Sequence, residues 1–269
     1  MGGEGTGIRT VVPEILDVYA LTTLAHANTY LGLISDSGEV DNFIKRIINR
    51  ASDIIESALN RKLMSRLYVK ERYDGKDQET LFLKQYPIIV IELDDLVWTA
   101  DKKVTRNDGG SFVTDGFVAG DKVLVQNSNE NSGLLTIATG GVAATVLTFT
   151  DTIVADSDDD DVTISNFRGL WINEDEINGD DFTVDIDNIY YGSGFSEGHK
   201  NIRLTYKAGY NTIPDDIEEY CLRLIKKIYD KDRDVKSESL GDLSIAYFGE
   251  GDIVKDIRKE LSTYINVTI

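Results

Sequence analysis

Residues 39–63 have the sequence EVDNFIKRIINRASDIIESALNRKL, the clearest periodic pattern in the chain. Apolar side chains recur every three or four residues, so on a helix they form one stripe opposite the charged side chains. The stripe consists of Val40, Phe43, Ile44, Ile47, Ile48, Ala51, Ile54, Ile55, Ala58 and Leu59. Asp36 and Glu39 have the spacing of a capping box, which marks a helix start. The pattern therefore predicts an amphipathic helix over Glu39–Leu63.

Helical patterns also occur on both sides of this segment. Glu14–Ala27 predicts a first helix. Pro214 begins a second apolar stripe that runs to Tyr229, and the carboxylates of its first turn lie where the helix dipole favours negative charge. Asp252–Tyr264 predicts a last helix, and the following Ile265–Ile269 alternates apolar and polar residues. Together these segments predict a core built from helices.

A period of two, typical of β-strands, replaces the helical period between Arg66 and Trp98 and returns after residue 181. A hairpin is predicted around the turn Asp74-Gly75. The predicted strands of this group are Leu67–Tyr73, Thr80–Leu83, Ile88–Leu93, Phe182–Ile186 and Asn201–Tyr206. We therefore expect a small antiparallel sheet beside the helices.

Residues 108–166 differ in composition from the rest of the chain, being rich in Gly, Thr, Val, Asn and Asp. Short β runs separated by turn signals, with no helical pattern, predict a small barrel or sandwich inserted into the host domain. The runs are Lys122–Gln126, Leu134–Ala138, Thr145–Thr150 and Asp161–Ser165.

The predicted fold class is therefore α+β: a helical core with a small antiparallel β-sheet, plus an inserted all-β barrel-like module. The predicted organisation is a helical core with the first strands over 1–107, the inserted module over 108–166, and the returning strands, C-terminal helices and tail over 167–269.

The charge of the chain is unevenly distributed. The net charge is −19 over 269 residues, and residues 108–190 contain 17 acidic and only 2 basic residues. Such a segment is unsuited to bind a nucleic-acid backbone, because phosphate contacts require Lys and Arg.

No apolar run approaches the roughly 20 residues that span a bilayer, so no membrane association is predicted. Cys221 is the single cysteine and lies in an apolar helical stripe, which favours an inert buried thiol.

No pattern of catalytic or metal-ligating residues emerges. His26 and His199 are the only histidines, and neither lies in a nucleophile or zinc signature. The acidic run Asp156–Asp161 lacks the spaced ligands and the glycine of a calcium loop, which favours a solvated turn. We therefore predict no enzyme activity, no catalytic, cofactor-binding or metal site, and no cofactor.

Several short motifs occur in a fixed order on both sides of the insert. They are Tyr30-Leu31-Gly32, Ala58-Leu59-Asn60-Arg61, Asp74-Gly75 with Leu81–Pro87, Leu204–Tyr210 followed by Ile213–Ile217, and Leu240–Ile245. In this order and spacing they resemble the head-tail connector, or adaptor, proteins of long-tailed bacteriophages. The resemblance covers about residues 28–98 and 182–264.

The resemblance implies a structural subunit of a phage neck. Its copies would form a ring, twelve-fold in the family, that docks on the portal protein and continues the DNA channel toward a tail-side neck or tail completion protein. DNA would pass without specific binding, and the protein would lie in the virion neck after assembly in the host cytoplasm. We predict portal docking through the last helix and the tail, with candidate residues Asp252, Ile253, Ile257, Leu261, Tyr264, Ile265, Val267 and Ile269.

Three questions remain open at the level of sequence. Asp158, Asp159, Asp160 and Asp161 would repel DNA phosphates if they face a channel, or would solubilise the module if they face outward. The tail is either frayed or a strand that adds to a partner's sheet. An alternative function is a carbohydrate- or surface-binding module in the β insert. Its candidate aromatic residues are Phe112, Phe117, Phe149 and Trp171.

Overall fold

The computed structural model describes residues 14–34, 38–237 and 250–265. The chain divides into two compact units. The first, the helical unit, comprises residues 1–64 and 212–269, and the second, the strand unit, comprises residues 65–211. The chain therefore leaves the helical unit once, builds the strand unit and returns.

The helical unit contains four α-helices among its described residues. They are α1 (Leu24–Leu31), α2 (Glu39–Leu59), α3 (Asp215–Ser237) and α4 (Glu250–Glu260), followed by a 3-10 turn at Ser262–Tyr264. α2 confirms the helix predicted from the apolar stripe, although it ends at Leu59 because Asn60 adopts the left-handed conformation (φ 55°). Asp36 and the motif Leu240–Ile245 lie outside the described residues.

The helix predicted over Glu14–Ala27 is wrong in its first part. Helix α1 begins only at Leu24, where the Thr23 side chain accepts a hydrogen bond from the His26 amide and caps the helix. Before it, the Asp17 carboxylate accepts a hydrogen bond from the Tyr19 amide (2.8 Å) and stabilises a turn. The competing side-chain hydrogen bond therefore decides against a helix at this position.

Helix α2 packs against the other three helices of its unit. Its buried face includes Ile44, Ile48 and Ile55, which have no exposed surface. Arg258 of α4 donates a hydrogen bond to the Ala58 carbonyl (3.0 Å) near the C-terminal end of α2, where a cation complements the helix dipole. The apolar stripe that was visible in the sequence is therefore the centre of this unit.

The strand unit is built from fifteen strands and one 3-10 turn. The strands are β1 (Arg66–Gly75), β2 (Gln78–Phe82), β3 (Val90–Leu93), β4 (Leu96–Thr99), β5 (Lys103–Arg106), β6 (Lys122–Gln126), β7 (Gly133–Val142), β8 (Val146–Phe149), β9 (Asp156–Asp159), β10 (Val162–Ser165), β11 (Phe167–Ile172), β12 (Asp175–Ile177), β13 (Thr183–Val184), β14 (Asn188–Phe195) and β15 (Gly198–Ala208). They form antiparallel sheets in the orders β1-β15-β11-β12, β13-β14-β2 and β3-β10-β6-β7-β8-β5-β4-β9.

The eight-stranded sheet closes on itself. Strands β3 and β4 are separated only by Asp94-Asp95, and β9 and β10 only by Asp160-Asp161. β3 pairs with β10 and β4 pairs with β9. The segment that holds β3 and β4 therefore runs alongside the segment that holds β9 and β10, on both sides of the bends at Asp94-Asp95 and Asp160-Asp161. Because β6 continues the pairing from β10 and β5 continues it from β4, the six continuous segments form a closed barrel.

The barrel interior is filled by aromatic and branched side chains. Trp98 stacks on Phe149 with ring centroids 6.1 Å apart, and Phe112 meets Phe117 edge to face. Phe112 and Phe117 come from the connection between β5 and β6 and belong to the same buried cluster. The barrel is thus a packed core and not a pore.

A second core lies between the other sheets of the strand unit. Its buried residues come from strands at both ends of the unit, and Leu124 of the barrel belongs to it as well. Phe167 lies at its centre, stacked near Tyr206 and edge-on to Phe182. Because β1 pairs with β15 along most of its length, this core joins residues more than 100 positions apart in the sequence.

The predicted fold class, a helical core with a small antiparallel sheet, is wrong. Strands account for 38% of the structure and helices for 27%, and the largest sheet has eight strands. The sequence patterns did not predict six strands, namely Leu96–Thr99, Lys103–Arg106, Asp156–Asp159, Phe167–Ile172, Asp175–Ile177 and Asn188–Phe195. Each is short or rich in glycine, and each is stabilised by pairing with another strand, which no local periodicity shows.

Candidate assembly surfaces

The four-stranded sheet presents one face to the core and a charged face to the outside. Successive side chains of a strand alternate between faces. Ile202, Leu204 and Tyr206 of β15 are buried in the core, so the intervening residues of β15 lie on the outer face. The register places Arg72, Arg203, Trp171 and Glu176 in one row across β1, β15, β11 and β12.

We call the outer surface formed by Lys70, Arg72, Arg168, Trp171, Arg203 and Lys207 the basic sheet face. A register shift in β1 at Lys70, which has φ 51°, brings the Lys70 ammonium to 5.4 Å from the centroid of a Trp171 ring. The Trp171 ring in turn lies over Gly169, where an added Cβ would come within 2.6 Å of it. Only glycine leaves room for this arrangement.

The cations of this face are unevenly compensated. Arg168 and Lys207 both bind the Asp121 carboxylate, at 3.4 and 2.5 Å, and Arg203 contacts Glu174. Lys70 and Arg72 are exposed, and neither has a carboxylate partner among the described residues. An exposed, positively charged surface therefore exists in a unit that contains twice as many acidic as basic residues.

Exposed carboxylates are concentrated in residues 175–187, a stretch that begins on the edge strand of this sheet farthest from β1. We call Asp175, Glu176, Asp180, Asp181, Asp185 and Asp187 the acidic edge; all six are exposed. No Lys or Arg occurs between residues 169 and 199. The stretch begins on β12, the edge strand of the four-stranded sheet, and continues through β13 of the three-stranded sheet. Positive and negative charge are therefore separated across this part of the molecule.

The solvated turn predicted over Asp156–Asp161 is wrong in its first part, because Asp156–Asp159 form strand β9 and only Asp160-Asp161 lie at the barrel corner. Asp159 is only 1% exposed, and its carboxylate accepts hydrogen bonds from the Trp98 indole (2.7 Å), the Ser128 hydroxyl and the Asn129 amide (3.1 Å). Asp160 and Asp161 are exposed at the corner, and the Asp160 carboxylate accepts a bond from the Asp95 amide (2.9 Å).

Asp158 lies on β9. A surface or channel role can therefore involve Asp160 and Asp161 but not the buried Asp159 carboxylate.

The predicted docking residues are also divided by their surroundings. Ile257 and Leu261 are buried within the helical unit. Asp252 is exposed, while Ile253, Tyr264 and Ile265 are half-buried. The Tyr264 hydroxyl donates a hydrogen bond to the Asp216 carboxylate (2.9 Å) of α3. Val267 and Ile269 lie outside the described residues.

Three of the four aromatic residues considered for carbohydrate binding are in the barrel core. Phe112, Phe117 and Phe149 are buried against other apolar side chains. Trp171 is half-buried on the basic sheet face. A sugar-binding platform needs exposed rings, so these phenylalanines do not supply one.

Titratable side chains form structural pairs. His26 Nδ1 lies 2.6 Å from a Glu218 carboxylate oxygen that also accepts a bond from the Thr22 hydroxyl. Burial raises the pKa of Cys221 to about 12, so its thiol stays protonated.

Within the described ranges no group of three or more His, Cys, Asp and Glu side chains could hold a metal ion. None of the described helices is long and apolar enough to cross a membrane.

Some motif residues occupy turns and helix ends, while others, such as Asp74-Gly75 and Leu204–Ala208, lie within strands. Gly32 and Gly209 both have positive φ, 67° and 107°, which favours glycine at these turns. The Gly209 amide donates a hydrogen bond to the Pro87 carbonyl (2.9 Å), and Ser65 donates to the Tyr210 carbonyl (2.9 Å). Motif residues from both sides of the barrel are therefore in direct contact.

The basic sheet face was missed by the sequence reading. The sequence carries only a weak signal for it, because Lys70 and Arg72 are two positions apart and Arg203 and Lys207 are four positions apart, so that each pair lies on one side of its own strand. Only the pairing of β1 with β15 and of β11 with β15 brings these cations together.

Comparison with solved structures gives neighbours of low similarity, among them two chains from gene transfer agent particles. One is a chain from the neck of an empty gene transfer agent particle, computed with C6 symmetry, with 11% identity over 88% of this chain and 89% of that chain and a TM-score of 0.34. Another comes from the virion of a native gene transfer agent particle, with 12% identity over 88% of each chain and a TM-score of 0.30. At these TM-scores neither neighbour informs the function of this chain. No protein-family model and no curated protein matches it.

Proposed function

We propose that the protein is a non-enzymatic structural subunit of a phage neck, a head-tail connector located in the virion after assembly in the host cytoplasm. One observation carries the proposal. The connector-like motifs of the strand unit lie in two stretches separated by the barrel, yet they meet in the structure through the β1–β15 ladder and the Pro87–Gly209 hydrogen bond. These motifs therefore form one continuous framework, as segments of a single ancestral domain would.

In this function the protein performs assembly and no chemistry. Its copies form a closed ring, twelve-fold by the family resemblance, that docks on the portal protein and leads to a tail-side neck or tail completion protein. DNA passes through the ring without specific binding. The barrel is an insert in the connector framework, and its exposed Asp160 and Asp161 either face the channel or solubilise the outer surface.

Portal docking uses those of the eight predicted docking residues that are accessible. Ile257 and Leu261 hold α4 in the helical unit, so the contact falls to Asp252, Ile253, Tyr264 and the tail from Ile265 onward. Alternating Ile265, Val267 and Ile269 suit a strand added to an edge of the partner's sheet.

The direct test is to mix the purified chain with the portal protein encoded nearest to it and to image the mixture by electron microscopy. A ring stacked on the narrow end of the portal is expected. Free subunits beside bare portals, also after addition of tail-side neck proteins, would overturn the proposal.

A truncation tests the docking assignment. A chain that ends at Ile265 should keep its far-UV circular dichroism and lose portal binding in a pull-down. Ile34→Asn, at a side chain that is 90% exposed elsewhere in the helical unit, is the control that should bind normally. Undiminished binding of the truncated chain would remove the tail from the docking site.

A further inference from the structure

Charge is separated across one sheet of the strand unit. The basic sheet face lies on β1, β15 and β11, and the acidic edge begins on β12 at the other side of the same sheet. Lys70 and Arg72 are exposed without a carboxylate partner among the described residues. The six carboxylates of the acidic edge have no cation partner in the described part of the chain. Each surface can therefore form ion pairs with a partner of opposite charge.

The basic sheet face has the composition of an interface. Trp and Arg are enriched in the energetically important centres of protein interfaces, and here Trp171 lies in register with Arg203, next to the exposed Arg72. Two apolar side chains of the same strand are also accessible, since Leu67 is 47% and Val69 is 65% exposed. A surface that combines an aromatic ring, guanidinium groups and apolar side chains suits a protein partner better than bulk water.

We propose that the basic sheet face of one subunit binds the acidic edge of a second copy of this chain. The chain itself carries the complementary surface, as clustered carboxylates of the right sign. A nucleic acid is the less favoured occupant because the strand unit as a whole is acidic and would repel phosphates.

The two surfaces differ, so their contact is heterologous. Repetition of a heterologous contact about a rotation axis closes a ring. The inference therefore supplies the subunit contact of the proposed neck ring and rests on that proposed function. It also explains why basic residues persist on one face of an otherwise acidic unit.

Zero-length cross-linking between amines and carboxylates locates the contact. An equal mixture of ¹⁴N- and ¹⁵N-labelled protein is treated with a carbodiimide at low salt, and peptide pairs of mixed label identify links between subunits. We expect intersubunit links from Lys70 to carboxylates within residues 175–187. Lys102, exposed on the β4–β5 turn, is the internal control and should not form them.

Charge reversal provides the functional test. Lys70→Glu with Arg72→Glu replaces by carboxylates the two cations of the face that have no carboxylate partner among the described residues. Asp175→Lys, Asp181→Lys, Asp185→Lys and Asp187→Lys together leave two carboxylates beside four ammonium groups and so make the edge basic. Each variant alone should lose intersubunit links and ring assembly on the portal by about tenfold or more, because like charges then meet. A 1:1 mixture of the two variants restores opposite charges at every contact and should recover both. Arg50→Glu with Lys102→Glu changes the same charge elsewhere and should assemble normally.

The outcomes separate this contact from the proposed function. Wild-type rings on the portal together with unimpaired rings from both the face variant and the edge variant would overturn the contact and leave the neck function standing. Absence of wild-type rings would overturn the neck function, while the cross-links in solution would still decide the contact. Lack of Lys70 links in both solution and rings would overturn the inference. Binding of labelled duplex DNA that is lost in the Lys70→Glu, Arg72→Glu variant would instead assign the face to phosphates.

Discussion

The barrel and the helical unit reach a packed core by opposite routes. The barrel is continuous in sequence, from Val90 to Ser165, and it closes because two bent segments pair across their corners. The helical unit joins α1 and α2 from the first part of the chain to α3 and α4 from the last part. Its core therefore needs the chain that returns from the strand unit at residue 212. One polypeptide thus contains a core from a continuous segment and a core from two distant segments.

The two regions also bury a carboxylate in different ways. In the barrel, Asp159 accepts hydrogen bonds from neutral donors of three residues. In the helical unit, Glu56 is 4% exposed and binds both the Lys62 ammonium (2.7 Å) and the Leu63 amide (3.0 Å). Both carboxylates fix a place where the chain changes direction, so each of these buried acids stabilises the fold locally.

The largest effect is expected in the barrel. Trp98→Ala removes a side chain that is 1% exposed and should lower the free energy of unfolding by about 3–5 kcal/mol, measured by urea denaturation with circular dichroism. Labelling of Cys221 in the helical unit should remain slow in the native variant. Fast labelling would show that the two units do not hold their cores separately. Trp171→Ala, at a half-buried ring, is the control with a smaller loss.

The helical unit should respond to the converse change. Ile48→Ala creates a cavity beneath α2 and should cost about 2–5 kcal/mol. Cys221 should then react with a thiol reagent at a lower urea concentration than in the wild type. The urea midpoint of the tryptophan fluorescence, which comes from the strand unit, should stay unchanged. Val40→Ala, on a more exposed part of the same helix, should change stability by only about 0.5 kcal/mol. Equal shifts of both probes would contradict separate cores.

A smaller effect is expected at the barrel corner. Asp159→Ala leaves the Trp98 indole and the Ser128 hydroxyl without their acceptor and should cost about 1–3 kcal/mol. Asp160→Ala should cost clearly less because its partner, the Asp95 amide, lies at an exposed position where water can replace the carboxylate. Urea denaturation of the two variants compares neighbouring carboxylates of the same run. Similar losses would place Asp159 outside the hydrogen-bond network of the core.

The smallest effect is a pH dependence of the barrel. Hydrogen bonds from Arg106 lower the pKa of Asp108 from 3.8 to about 2. Because the folded pKa lies below the unfolded one, this stabilisation is present above about pH 4 and is lost as the pH falls toward 2. Asp108→Asn should therefore make the stability of the protein fall less steeply over this window. Urea midpoints measured across the window check this, and an unchanged slope would show that the ion pair does not contribute.

The sequence predicted elements well where one face of a single element determines its structure. The stripe of Ile44, Ile48 and Ile55 identifies α2 because the helical period is local. The helix prediction failed for the first part of Glu14–Ala27, because the turn at Asp17 and the cap at Thr23 compete with a helix there. The sequence patterns also failed for the fold class, since they did not predict six strands, several of which pair with segments far along the chain. For the candidate surfaces they identified the acidic composition and not the cationic face.

The amino-acid sequence alone is enough to identify the long amphipathic helix, the single cysteine, the acidic middle segment and the motifs that resemble a connector. The folded structure is needed to establish that strands dominate, that Asp159 is internal while Asp160 is exposed, and that the cations of β1, β11 and β15 share one face. The difference arises from the range of the interactions. Periodicity and capping act within a few residues, whereas strand register and charge clustering are set by pairing between segments that meet only in the folded chain.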